Sequence, residues 1–426
     1  MKKRYVQVGI GGRARMFYNA VVDTYKETSE MVGFCDINQA RMDYANAQLK
    51  EKFGIAPIPT YSVDKFDDMI REQKPDVVIV TSVDRTHHKY IIRAMELGCD
   101  VITEKPMTMN EEKCQAILDT QKRTGKNVRV SFNYRYSPLH TKCREIIEDG
   151  TIGDIFSVHF EWLLDIRHGA DYFRRWHRDK RNSGGLLVHK STHHFDLVNF
   201  WIHSKPKTVF AFGDLNFYGR ENAENRGVTK FYNRSTDNPN AEGDPFAINL
   251  KDGDTLQGLY YNAEKEDGYL RDQSVFGDGI SIEDTMGVIV KYENGAMLTY
   301  SLNAYMPYEG YRIAFNGSKG RIEMTSIDVP YINAGGVVDG ATKETSLRVF
   351  PMFGAAYDID IQQGKGGHGG GDAVLLEDLF GENPPEDRFH RAANQVDGAM
   401  SILTGVAANK SIRTGMPVEI DSLVKF

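Results

Sequence analysis

From residue 4 to residue 133 short apolar runs alternate with amphipathic stretches. Tyr5–Val8 is an apolar run that passes through glycines into a helical pattern ending near Tyr25. Met31–Cys35 forms a second run, closes at Asp36 and leads into a charged helix that includes Arg41 to Lys52. Asp76–Thr81 is nearly all β-branched, as a strand buried on both faces must be. Tyr90–Leu97 stops at Gly98 and Asn110–Thr124 stops at Gly125, each glycine a helix-ending signal. Asp100–Thr103 and Val128–Phe132 add two more strands. This rhythm predicts an α/β unit with a parallel, doubly wound sheet and helices on both faces.

After about Tyr134 the period changes. A helix over Leu139–Asp149 leads to Ile155–Trp162, which alternates apolar and polar as a half-buried strand does. Val288–Tyr292, the turn Glu293-Asn294-Gly295 and Ala296–Leu302 carry a hairpin signal. The chain therefore divides into residues 1–133 and an α+β domain, residues 134–426, with a large, mostly antiparallel sheet. Residues 217–280 are polar, and Gly364–Gly371 holds six glycines around His368, so both are expected to be surface loops.

Length supports the division, since 426 residues exceed one ordinary core. A net charge of −7 argues against nucleic acid as a partner. The basic start, Met1 to Arg4, runs straight into a strand rather than a leader-like apolar run, and no stretch could span a bilayer. With four scattered cysteines and no CxxC, reduced thiols and a cytoplasmic location are expected.

Three stretches carry chemistry. Gly9-x-Gly11-x-x-Ala14 follows a strand and opens a helix, where glycines admit a pyrophosphate to backbone N–H groups. Asp36, closing the second strand, can accept hydrogen bonds from ribose hydroxyls. It should repel a 2′-phosphate, which favours NAD; Arg13 and Arg41 keep NADP in view. Glu104-Lys105-Pro106 ends a parallel strand, where open α/β sheets bind ligands. The third stretch, Ser183–Asp196, concentrates three of the twelve histidines within six residues. If it is one helix, His189 and His193 share a face. Such a pair suits zinc, with Glu161, Asp165 or His168 as third ligand; no spacing specifies that ligand, and acid–base chemistry is the expectation instead.

Together these residues resemble the glucose–fructose oxidoreductase / inositol dehydrogenase / MocA family (Gfo/Idh/MocA). Asn133–Pro138, Gly150-Thr151-Ile152-Gly153 and the glycine–histidine–aspartate segment from 184 to 196 complete the resemblance, which covers nearly the whole chain. It implies a Rossmann domain followed by a domain with an open-faced antiparallel sheet, whose outer face makes a homo-oligomer, dimer or tetramer. It sets Gly9, Gly11, Gly12, Arg13, Ala14, Asp36 and Arg41 around the cofactor, with Ser82, His87, Glu104, Lys105 and Asn133 from the later loops. His193 falls on the family's catalytic histidine and Asp196 on its trailing aspartate. His189 stands where many members carry aspartate.

The activity implied is hydride transfer between a nicotinamide and a carbinol carbon of a sugar, glycoside or cyclitol. His193 would be the acid–base, Lys105 would stabilise the oxygen, and His189 would tune or orient the pair. Arg135, Trp162, Asp165, Trp176 and His177, with His193, are the candidate substrate contacts, because aromatic faces and forked donors suit polyols. The basic cluster Arg174–Arg181 is read as a solvated turn that an acidic or phosphorylated substrate could recruit. His368 and Asp372 are candidates for a lid, for a contribution from a neighbouring subunit, or for a loop without contacts. Two alternatives stand beside the dehydrogenase: a redox-neutral, NAD-dependent glycosidase of the same family, and a non-catalytic NAD-binding regulator.

Overall fold

The structure is a computed structural model, described here for residues 2–327, 344–361, 368–384 and 386–426. Part of the glycine-rich run, Gly364 to Gly367, lies outside the described residues.

Six parallel strands form the first sheet: β1 (Lys3–Val8), β2 (Ser29–Asp36), β3 (Thr60–Ser62), β4 (Val77–Val80), β5 (Asp100–Thr103) and β6 (Val128–Val130). Their order is β3-β2-β1-β4-β5-β6. The strand order reverses between β1 and β4, so the loops that leave those two strands diverge and open a crevice. β4 is buried on both faces, which is why its sequence is apolar without alternation, and β1 is buried from Tyr5 to Val8, Gln7 included. β3 carries no strand signal of its own: it is three residues long, polar, and stabilised only as an edge against β2.

Nine strands form the second sheet: β7 (Ile155–Asp165), β8 (Pro206–Asp214), β9 (Thr285–Tyr292), β10 (Met297–Met306), β11 (Gly310–Gly317), β12 (Gly320–Ile327), β13 (Glu344–Pro351), β14 (Tyr357–Asp358) and β15 (Val418–Glu419). The order is β14-β13-β12-β11-β7-β10-β9-β8-β15. Only the β7–β10 pair is parallel; the other pairs are antiparallel. One face is covered and the other open. Along β9, Met286, Val288 and Val290 are buried while Gly287, Ile289 and Lys291 are exposed, the period-two pattern that the sequence carries.

The helix Gln395–Thr414 ties the two sheets together. Gly398 packs with a Cβ position 2.9 Å from Val130 Cγ2 at the end of β6, and Gly405 packs with one 2.2 Å from the Leu187 carbonyl oxygen. A side chain at either position would force the helix away, so both glycines serve close approach. This rod sets the loop after β5 against the segment 186–193. Further along the chain, Phe380 packs edge-on against Tyr5 at 5.2 Å, so late residues also complete the first core.

The expectation of a surface loop over 217–280 does not hold. Tyr218, Leu250, Leu259, Ala263 and Val275 are buried. The segment carries short helices and lies against the nucleotide-side loops. Asn38 Nδ2 donates to Ala263 O at 2.8 Å, Arg41 Nε to Leu259 O at 3.1 Å, and Ala40 N to Glu266 Oε1 at 3.1 Å. Its polar groups pair with main chain and guanidinium across an interface rather than with water, which polarity alone cannot reveal.

Candidate active site

The glycine turn is built for a backbone-lined cradle. Gly9 has φ +87°, and a Cβ there would lie 2.4 Å from the Ser82 backbone, so the loops after β1 and β4 touch only because residue 9 has no side chain. A Cβ at Gly11 would meet nothing within 4 Å, and one at Gly12 would meet only the Tyr260 hydroxyl, at 3.1 Å. The helix from Ala14 follows directly. Asp36 accepts from Ile10 N at 2.5 Å and Asn38 N at 2.9 Å, and burial raises its pKa. Its carboxylate keeps lone pairs for ribose hydroxyls. Arg41 Nη2 is buried without an acceptor, a donor on the same rim. An adenine dinucleotide therefore fits the residues present.

The two arginines that kept a 2′-phosphate in view are committed elsewhere. Arg41 pairs with Asp267 at 2.5 Å and lies 3.9 Å from Asp36. Arg13 Nε donates to Glu104 Oε1 at 2.6 Å, and Arg13 Nη2 lies 3.2 Å from Asp372 Oδ1. Asn133 Nδ2 donates to the same Asp372 oxygen at 2.6 Å, and His368 Nδ1 lies 3.1 Å from the other. His368 and Asp372 thus enter the cleft of their own chain. His87 bridges two loops, with Nδ1 2.8 Å from Pro106 O and Nε2 2.9 Å from Ser82 O.

At the reacting end, Lys105 Nζ donates to the His189 carbonyl at 3.4 Å, so the loop after β5 meets the segment 186–193. Burial pulls Lys105 down to about 8. Burial, and then Lys105 itself, hold His193 well below the ordinary imidazole value, leaving it neutral and able to accept a proton. Among the described residues no protein group hydrogen-bonds either ring nitrogen of His193, and its Nδ1 is buried. Its neighbours are Tyr134, ring centroid at 4.8 Å, and His368 at 5.8 Å.

His189 and His193 do not lie on one continuous helix. Leu186–His189 and Thr192–Ile202 are separate helical segments joined at Lys190 and Ser191. His189 instead turns its Nδ1 to Asp84 Oδ2 at 2.5 Å. Asp84 follows β4, and burial raises it to about 7. Its only signal in the sequence is its place just beyond the end of a buried strand. The group of potential metal-ligand atoms lies elsewhere, at Asp165, His168 and Glu309, all within 4.8 Å, and includes neither His189 nor His193.

The expected substrate contacts divide. Trp176 and His177 do converge on the site: their rings stack at 3.6 Å, and His177 lies 4.2 Å from His189. Three others are corrected. Arg135 is buried with Nε and Nη2 on Asp196, at 2.8 and 2.6 Å, and Nη1 on the His390 carbonyl, leaving no free nitrogen for a sugar. Trp162 is 1% exposed and stacks on His194 at 4.0 Å and on Tyr311 at 4.9 Å, so no ring face is open. Asp165 is fully buried as the N-cap of the helix Ile166–Arg174, accepting from Arg167 N and His168 N. Composition draws attention to such residues, but it is packing that takes their polar atoms or faces away.

Comparison with known proteins places these features in a family. Residues 3–132 match the description "Oxidoreductase family, NAD-binding Rossmann fold", and residues 144–420 match "Oxidoreductase family, C-terminal alpha/beta domain", the two halves of GFO_IDH_MocA. YteT of Bacillus subtilis (strain 168), named an oxidoreductase, is 38% identical over 440 residues, covering 100% of this chain and 99% of YteT. The D-glucoside 3-dehydrogenase of Escherichia coli (strain K12) is 35% identical over 174 residues, 40% of this chain and 46% of that protein. Among solved structures, the WlbA dehydrogenase from Bordetella pertussis in complex with NADH and UDP-GlcNAcA shares the fold at a TM-score of 0.65 and 17% identity, covering 98% of this chain and 99% of that one.

Proposed function

The chain belongs to the Gfo/Idh/MocA oxidoreductase family, and on that premise we propose that it oxidises or reduces a carbinol carbon of a sugar, glycoside or cyclitol with NAD as hydride carrier. The observation that carries this reading is that Lys105, from the loop after β5, reaches the His189 carbonyl and that its charge bears on His193, four residues further on. The nicotinamide, when bound, supplies the hydride acceptor. In the oxidative direction His193 takes the hydroxyl proton, and its depressed pKa keeps it free to do so at neutral pH. The Lys105 ammonium faces the oxygen as negative charge develops on it. His189, fixed by Asp84 on one side and accepting from Lys105 through its carbonyl on the other, orients the lysine. Trp176 and His177 are the substrate contacts that remain from the sequence reading.

NAD rather than NADP is supported by the burial of Asp36 at the ribose position. A homo-oligomer through the open face of the second sheet is supported by Phe156, Phe212 and Ile289, which are 61%, 70% and 46% exposed there. The division of the chain into a dinucleotide-binding domain, 1–133, and a substrate domain, 134–426, belongs to the same proposal. No helix among the described residues is long and apolar enough to cross a membrane, and four buried free thiols fit the cytoplasm.

The test is purification with analysis for bound nicotinamide, followed by an absorbance screen for NADH over monosaccharides, glycosides and cyclitols. NADH formation with a polyol is the expected result. Release of aglycone without NADH would favour the redox-neutral glycosidase, and cofactor binding with no turnover on any of them would favour a regulator.

A further inference from the structure

Arg174–Arg181 has the composition of a solvated basic turn, yet its first arginines are not solvated. Arg174 is 6% exposed. Arg271, from the 217–280 segment, joins Arg174 and Arg175 around a single carboxylate, Asp171. Arg271 Nη2 lies 2.7 Å from Asp171 Oδ1, Arg175 Nη1 lies 3.3 Å from Oδ2, and Arg174 Nη1 lies 4.0 Å from Oδ1. Three guanidiniums against one carboxylate leave two positive charges in excess within the group. Arginine cannot relieve this by losing a proton. Asp171 responds as expected: burial pushes its pKa up, but Arg271, Arg175 and Arg174 outweigh burial and bring it down to about 2.

The donors give the same result independently. Nε and Nη1 of Arg174 and Nε and Nη1 of Arg271 are buried without an acceptor. Buried N–H groups on charged forks are costly unless paired, and their natural partner is an oxyanion with two or three acceptor oxygens. The position is informative too. Arg175 directly precedes Trp176, whose ring stacks on His177 at 3.6 Å and lies 5.9 Å from that of His189, so it stands beside the reacting end of the cleft. Arg271 lies over the Tyr260 ring at 5.5 Å, and Tyr260 is the residue whose hydroxyl faces Gly12. A pyrophosphate could use the same donors, but the place of Arg175 next to Trp176, which stacks on His177, favours the substrate.

We propose that Arg174, Arg175 and Arg271 form an anion subsite for the substrate, and that the sugar this cleft accepts carries a carboxylate or a phosphate. The inference rests on the sugar-oxidoreductase reading above and adds a substrate class to it, acidic sugars.

The test reads binding, which needs no turnover. Calorimetry at saturating NAD and constant ionic strength would compare D-glucuronate and D-galacturonate, D-glucose 6-phosphate, and neutral D-glucose and D-galactose. Wild-type protein should bind at least one acidic probe about tenfold more tightly than its neutral parent. The uronate and phosphate arms identify which group is seated. In Arg271→Met the preference should vanish, and in Arg271→Lys, which keeps a charge beside Asp171, it should fall only in part; NAD affinity should stay within about twofold in both. Equal binding of acidic and neutral probes, or no binding of any acidic probe, would overturn the subsite. So would a weakening of NAD binding in Arg271→Met with the preference intact, since the arginines would then serve the cofactor. An acidic preference in a protein that forms no NADH with any sugar would leave the subsite standing and count against the dehydrogenase.

Discussion

Asp84 Oδ2 and His189 Nδ1 meet at 2.5 Å, and the two residues come from loops of different sheets. Position 189 carries an imidazole, and the carboxylate it meets comes from across the cleft. Burial raises the acid to about 7, and burial and Lys105 depress the imidazole. Asp84→Asn keeps the shape and removes the acid. Turnover should fall about ten- to a hundredfold with NAD affinity nearly unchanged. Steady-state kinetics beside an NAD titration check this, and unchanged kcat would remove Asp84 from the site.

Lys105→Met should abolish most of kcat, by about a thousandfold, while NAD still binds. The wild-type rate of oxidation should decline as pH rises through about 8, where Lys105 loses its proton. That limb should be absent from the residual activity of the variant.

The same depressed pKa has a consequence for stability. Between about 8 and its ordinary 10.5, Lys105 binds fewer protons in the folded than in the unfolded chain, so its contribution to stability rises with pH across that window and is least favourable below it. Lys105→Met should therefore be more stable than wild type at pH 7, by roughly 1–3 kcal/mol. Urea unfolding at pH 7 and pH 10 checks both the sign and its disappearance.

Arg135→Ala separates a structural residue from a substrate contact. It leaves Asp196, 1% exposed, without its bidentate partner. The expected cost is about 3–5 kcal/mol of stability. Any folded fraction should retain its ranking of sugar substrates. A normal midpoint with an altered ranking would restore Arg135 to the pocket.

Cofactor choice should depend on carboxylates rather than on arginines. Asp36→Ala removes the group that repels a 2′-phosphate and should raise the use of NADP relative to NAD by about tenfold. Paired kcat/KM values for the two cofactors decide this.

What the sequence determined by itself is what depends on local pattern. Buried parallel strands are apolar without alternation and half-buried antiparallel ones alternate, so β4 and β9 were both legible. Gly9, Gly11 and Ala14 stand between a strand and a helix with Asp36 closing the next strand, a combination that points to a nucleotide turn, and Glu104-Lys105-Pro106 ends a strand whose burial shows in its composition. What only the tertiary structure decided is which polar group meets which. Arg135, Trp162 and Asp165 have the right chemistry for a sugar pocket, but Asp196, the stacked His194 and Tyr311, and the first turn of a helix already occupy them. Asp84 and His189 lie 105 residues apart and Arg271 joins Asp171 across 100, separations over which no periodicity operates. A residue's place in a strand or helix follows from neighbours a few positions away. Its electrostatic partner follows from how whole elements pack, and that depends on burial, on close approach at Gly398 and Gly405, and on the cost of leaving any charge without a counterpart.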